Sequence, residues 1–138
     1  MLKIHIDAST KGNPGPSGGG IIITEKQQQV QKAFALSILT NHQAEFAVFS
    51  YLLDFLIQQK FTEKTIIVYT DSQILVQTLE KNYSKNPEFQ KYLCEIQEKL
   101  EAFPMLLVKW IPEKENKGAD HLARQGLQKS LRLQNRRK

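Results

Sequence analysis

Residues 4–20 run Ile4-His5-Ile6-Asp7-Ala8-Ser9-Thr10-Lys11-Gly12-Asn13-Pro14-Gly15-Pro16-Ser17-Gly18-Gly19-Gly20, a short apolar strand that ends on a carboxylate and enters a turn crowded with glycine and proline. Five glycines and two prolines between Gly12 and Gly20 exclude a helix there, because proline lacks an amide donor and glycine loses the most backbone entropy on ordering. Several of these glycines are expected to take positive φ or to let another backbone come close. Such a loop suits a ligand or a tight hairpin, and it leaves Asp7 at the mouth of a sheet. The question for the remaining chain is what surrounds that carboxylate.

The 138 residues, 41% of them apolar, fit one domain able to bury a core. We expect residues 1–130 to form it and residues 131–138 to be a basic C-terminal tail. No run approaches a membrane span, and the N-terminus enters a strand without a signal-peptide core, so a cytoplasmic protein is expected. The single cysteine, Cys94, falls in a helical pattern and reads as a small buried hydrophobe. It builds neither a disulfide framework nor a thiolate metal site, so any metal must be held by oxygen. The net charge of +5 does not itself point to nucleic acid: residues 124–138 hold six basic and no acidic side chains, leaving the first 123 residues at −1. The excess is local to the end of the chain.

Outward from the opening stretch, Leu2–Ser9 is a first strand, Gly18–Glu25 a second and Gln29–Ser37 a third, joined closely enough to be antiparallel neighbours. From Thr40 the period changes. Ala44, Ala47, Val48, Tyr51, Leu52, Phe55 and Leu56 recur at helical spacing towards Lys60, with Phe46, Phe49, Leu53 and Ile57 widening the stripe. Thr40 or Asn41 supplies the N-cap. Thr65–Thr70 is a β-branched strand that stops at Asp71, and a helix opens at Asp71-Ser72-Gln73 and continues through Leu79. Asn82–Asn86 is a loop, Pro87–Phe103 a helix, Met105–Ile111 a fifth strand, Pro112–Glu115 a polar loop and Asn116–Leu127 a last helix. The order predicts an α/β fold with a five-stranded mixed sheet, three antiparallel strands followed by two parallel additions, flanked by helices.

Four acids stand at element ends beside small or apolar neighbours: Asp7, Glu45, Asp71 and Asp120. Converging at one end of the sheet, they would repel and raise one another's pKa unless cations sat among them. Mg²⁺ takes hard oxygen ligands and completes its shell with water and phosphate oxygens. Two such ions suit phosphodiester hydrolysis.

The motifs Asp7-x-Ser9-x-x-Gly12-Asn13-Pro14-Gly15-Pro16-x-Gly18-Gly19, Thr40-Asn41-x-x-Ala44-Glu45, Tyr69-Thr70-Asp71-Ser72-Gln73 and Asn116-x-x-Ala119-Asp120-x-Leu122-Ala123-Arg124 resemble those of type I ribonuclease H over nearly the whole chain. The resemblance implies the ribonuclease H-like fold and an endonuclease that cuts the RNA strand of RNA/DNA hybrids, leaving 3′-hydroxyl and 5′-phosphate ends. It makes Asp7, Glu45, Asp71 and Asp120 the catalytic, metal-binding acids, with two Mg²⁺ ions per site and Mn²⁺ as a substitute. Carried over by position, Gly12, Asn13, Gly15 and Asn41 resemble contacts to the RNA strand, Gln73 a minor-groove contact and Thr40 a phosphate contact to the DNA strand. A glycine loop lets backbone meet the 2′-hydroxyls that mark RNA.

Two departures stand out. The basic helix that many family members carry between the fourth and fifth strands is missing, since Lys81–Glu101 is short and mixed in charge. The loop before the last helix, Pro112-Glu113-Lys114-Glu115, has no histidine, so Glu113 or Glu115 is the candidate for that role, and His121 should point away from Asp120. These departures keep open a hybrid- or duplex RNA-binding module of low activity, or a ribonuclease H domain derived from a retroelement. His42 and His5 read as surface or sheet residues, and Trp110 as strand packing. No membrane or obligate protein partner is indicated.

Overall fold

Residues 1–136 are described by the computed structural model. Strands β1 (Leu2–Thr10), β2 (Gly15–Glu25), β3 (Gln28–Leu39), β4 (Ile66–Thr70) and β5 (Leu106–Trp110) form one sheet in the order β3-β2-β1-β4-β5. Helices α1 (Asn41–Gln58), α2 (Gln73–Lys81), α3 (Pro87–Leu100) and α4 (Lys117–Arg136) connect or follow them, with one turn of 3₁₀ helix at Glu113–Glu115. β1 pairs antiparallel with β2 and β2 with β3, while β4 joins β1 and β5 joins β4 in parallel. This is the mixed sheet expected. Among the described residues no helix is long and apolar enough to cross a membrane.

Strand alternation divides the side chains between two layers. Ile4 and Ile6 of β1, Ile21 and Ile23 of β2, and Ile66 and Val68 of β4 face α1, whose Phe46, Phe49, Leu52, Leu53 and Leu56 are buried against them. Thr40 caps α1 reciprocally: its hydroxyl accepts from the Gln43 amide at 3.1 Å, and its own amide donates to the Gln43 side chain at 2.9 Å. α3 packs outside α1 through Phe89, Leu93 and Ile96. It ends before the expected Phe103, because Pro104 disfavours helical backbone at the residue before it and Phe103 instead turns inward to 7% exposure. Cys94 is exposed, not buried. One step of about 100° from the inward Leu93 carries it off the apolar face.

The opposite face belongs to α4, and glycine makes that possible. A Cβ on Gly18 would stand 2.0 Å from the Leu127 amide nitrogen, and one on Gly20 2.4 Å from the Ala119 carbonyl oxygen. Reciprocally, a Cβ on Gly126 would meet the Phe34 carbonyl at 2.4 Å. Helix and strand thus touch backbone to backbone. The glycines expected to shape a loop therefore serve mostly as a helix seat: only Gly12 has positive φ, at 86°, and β2 already begins at Gly15, absorbing Pro16 beside an irregularity at Pro16/Ser17. The loop proper is Lys11–Pro14. α4 also runs nine residues beyond the expected Leu127. Lys129 and Ser130 donate to the Ala33 and Leu36 carbonyls of edge strand β3, at 2.7 and 3.2 Å. Positions 131–136 of the expected tail are therefore helical, and Arg137 and Lys138 lie outside the described residues.

Gly20→Ala forces α4 away from β2, because the new methyl group meets backbone. A loss of roughly 2–3 kcal/mol in urea unfolding is expected, whereas alanine at Gly118, which meets only the tip of Ile22, should cost clearly less. Equal losses at the two positions would contradict the seating.

Candidate active site

The sheet register brings the acids together. Ile6 of β1 lies opposite Thr70 of β4, so the next residues, Asp7 and Asp71, stand side by side where this parallel pairing stops; β1 does not end on Asp7 as expected but runs on to Thr10, held by its antiparallel pairing with β2. On its other edge Asp7 pairs with Gly20, the residue on which the first turn of α4 rests, and this delivers Asp120 from above. Glu45 comes from the N-terminal part of α1. Together Asp7, Glu45, Asp71 and Asp120 line a cleft of about 330 Å³ with Thr10, Asn41, His42, Glu113 and Arg124.

Each acid is held. Asp7 Oδ1 accepts from the Ala8 amide at 2.9 Å. Glu45 Oε2 accepts from the Ser72 hydroxyl at 2.5 Å and lies 3.2 Å from His42 Nδ1. Asn116, 1% exposed, donates from Nδ2 to the Ile6 carbonyl at 2.9 Å and to Asp71 Oδ2 at 3.3 Å. It ties the loop ahead of α4 to both central strands. The Trp110 indole donates to the Asp71 carbonyl at 3.2 Å. Arg124 forks onto Asp120, Nε to Oδ1 and Nη2 to Oδ2, both at 3.3 Å.

Burial raises Asp7 to about 8 from its ordinary 3.8, with further upward pressure from the charges of Asp71 and Asp120 against the Ala8 hydrogen bond. Burial likewise raises Asp71, helped by Glu113 and Glu45 and opposed by the Asn116 hydrogen bond. The clustering of acids thus has the electrostatic signature of a site short of positive charge. Among the described residues, no three His, Cys, Asp or Glu side chains form a ready-made shell around one ion. The donors do fit Mg²⁺ or Mn²⁺, which bind through one or two carboxylates each and fill the remaining positions with water and phosphate oxygens.

The other expected residues divide. Asn41 and Glu113 line the cleft, whereas Glu115 does not. Gln73 lies in an adjoining recess with His42, Glu45, Asp71 and Ser72. Gly12, Asn13, Gly15 and Thr40 stand outside the cleft wall, although Asn13 Oδ1 accepts from the Asn41 amide at 3.0 Å and so fastens the glycine loop to the start of α1. Gly15 is buried where a Cβ would collide with the Lys11 carbonyl at 1.7 Å. His5 stacks on Tyr69 at 4.8 Å, and burial, then Lys3, lowers its pKa. Sequence reasoning gave no role to Ser72, Asn116 or Arg124. The four-residue spacing of Asp120 and Arg124 on a helix was the available signal for the last of these.

The fold is shared with solved ribonuclease H1 structures. LC11-RNase H1, isolated from compost and solved in complex with RNA/DNA hybrid, superimposes with a TM-score of 0.86 at 26% identity over 95% of this chain and 99% of that one. Ribonuclease H1 of Halobacterium salinarum shares the fold with a TM-score of 0.83 at 24% identity, over 93% and 98% of the two chains. The reverse transcriptase-like family profile matches residues 5–126. A putative hydrolase, EbsB, of Enterococcus faecalis is 50% identical over 94% of this chain and 96% of its own length. A bifunctional protein of Mycobacterium tuberculosis is 28% identical over 88% of this chain, which spans only 34% of that protein. The chain belongs to the reverse transcriptase-like family and is a ribonuclease H-type enzyme within it.

The raised pKa of Asp7 has a thermodynamic consequence. The native state holds this proton more tightly than the unfolded chain, so without cations its stabilising contribution is complete below about pH 4 and is lost as pH rises through about 8. Asp7→Asn should therefore stabilise the metal-free protein by about 1–3 kcal/mol at pH 8–9, with the gain vanishing towards pH 4. Urea unfolding in a chelator across this range measures it. A variant less stable throughout would contradict the clustering.

Proposed function

We propose that this chain hydrolyses the RNA strand of RNA/DNA hybrids, leaving 3′-hydroxyl and 5′-phosphate ends, with Asp7, Glu45, Asp71 and Asp120 holding two Mg²⁺ ions for which Mn²⁺ can substitute. One observation carries the reading: four carboxylates from four separate elements meet in one cleft, and burial and mutual repulsion hold Asp7 at about 8. A fold maintains such an arrangement against its own electrostatics only where cations relieve it. When bound, the ions would supply an activated water and stabilise charge on the leaving oxygen.

The remaining residues prepare the acids and receive the duplex. Asn116 keeps Asp71 an acceptor directed into the cleft, and Ser72 with His42 does so for Glu45. Gly12 and Asn13 present backbone along one border, with buried Gly15 closing the turn behind them, and the Asn13–Asn41 bond sets that border against the cleft, where 2′-hydroxyls would be read. Gln73 faces the minor groove from its recess. Thr40 accepts through its oxygen within the cap, which leaves its O–H free to donate to a phosphate. Glu113, beside Asp71, takes the loop position where histidine is missing, and Glu115 stays outside. Residues 1–130 carry the activity, in a cytoplasmic setting, while residues 131–138 add phosphate attraction that fades with salt.

A hybrid carrying label on either strand, incubated with Mg²⁺ or Mn²⁺, should lose only its RNA strand. Asp7→Asn, Glu45→Gln, Asp71→Asn and Asp120→Asn should each reduce the rate by about a thousandfold or more. Hybrid binding without cleavage in either metal would replace the enzyme with a binding module.

A further inference from the structure

Among the described residues, the cleft that must admit a polyanion is lined by five carboxylates, Asp7, Glu45, Asp71, Glu113 and Asp120, and by a single lysine or arginine, Arg124. Its guanidinium lies across both oxygens of Asp120. The pair sits at the rim, with the Arg124 side chain 72% exposed and Asp120 39%. No other hydrogen bond or ion pair holds this guanidinium among the described residues. The guanidinium neutralises the charge that would attract a divalent ion and occupies the rim beside both oxygens, so the two cations compete for Asp120. The arm that loses is a planar, permanently charged donor fork rooted one helical turn from the site, suited to a phosphate oxygen.

We propose that Arg124 is an exchangeable counter-ion: it neutralises Asp120 in the metal-free enzyme and, displaced when the cation arrives, transfers its fork to a backbone phosphate of the bound strand. This rests on the hybrid-cleavage reading and adds to it a coupling between metal and substrate. The cation strengthens hybrid binding by freeing the arginine, and by linkage the hybrid strengthens cation binding, because it gives the arginine somewhere else to go.

Arg124→Ala and Arg124→Lys test it through two readouts that move in opposite directions. In the protein alone, followed by the rise in melting temperature with added Mg²⁺, Arg124→Ala should need ~3-fold less metal at the midpoint, because an exposed competing ion pair is gone. In cleavage assays the same variant should show KM for the hybrid raised about 10-fold, with kcat changing less than KM, and a salt dependence of KM shallower by roughly one phosphate contact. Arg124→Lys keeps the charge without the fork and should fall between wild type and alanine in both. An Mg²⁺ midpoint that is unchanged or higher in Arg124→Ala overturns the exchange, as does an unchanged KM and salt slope. If the wild type fails to cleave hybrid, the functional reading fails, while the metal titration still decides whether Arg124 competes for Asp120. Melting temperatures without metal identify a variant that is merely misfolded, and Arg124→Lys then carries the test.

Discussion

Closure of the site by its fourth acid depends on α4 lying directly on the backbone of β2. At Gly18 and Gly20 no side chain separates helix from strand, and Gly126 returns the contact from the helix. Ordinary helix-on-sheet packing interposes side chains between the two backbones, which would lift Asp120 away from Asp7. Here the close approach sets the fourth carboxylate on the residue opposite Gly20. Packing and electrostatics are coupled through that one contact, since Asp120 contributes to the upward shift of Asp7.

The acids are costly to assemble, and the surroundings divide the cost. β1 and β4 bring Asp7 and Asp71 together through parallel register, which the core residues Ile4, Ile6, Ile66 and Val68 fix by burial. Glu45 is restrained by a hydroxyl that also caps α2: Ser72 Oγ accepts from the Leu75 amide while it donates to Glu45. Asn116 bridges β1 and Asp71 from a buried position through two bonds from Nδ2.

Much of this was legible in the residue pattern. The mixed sheet followed from the strand runs and their short connections, Asp7 and Asp71 stood out as acids after apolar or β-branched runs, and Glu45 and Asp120 as acids near helix starts. The glycines were harder, because composition marks where backbone freedom or closeness is needed and cannot say which. Gly12 needed the first and Gly18 and Gly20 the second. Cys94 reads as inward from its apolar character in a helical window, yet it is exposed because its neighbour Leu93 claims the core. The length of α4 was hidden by its polar last turns, which are held by bonds to β3 carbonyls that no helical period records. Ser72 and Asn116 were missed for a similar reason: their partners are far away in sequence.

The seat on β2 also orders events in time. α4 follows in the chain everything that it packs against, and Asp7 precedes Asp120 by roughly a hundred positions, a separation that makes the closing contact late in folding. A chain emerging from the ribosome can pair its first strands and bring Asp7, Glu45 and Asp71 towards one another, but it lacks the fourth acid until the last helix is released and docks. Completion of the four-carboxylate cleft is thereby tied to the docking of a single helix.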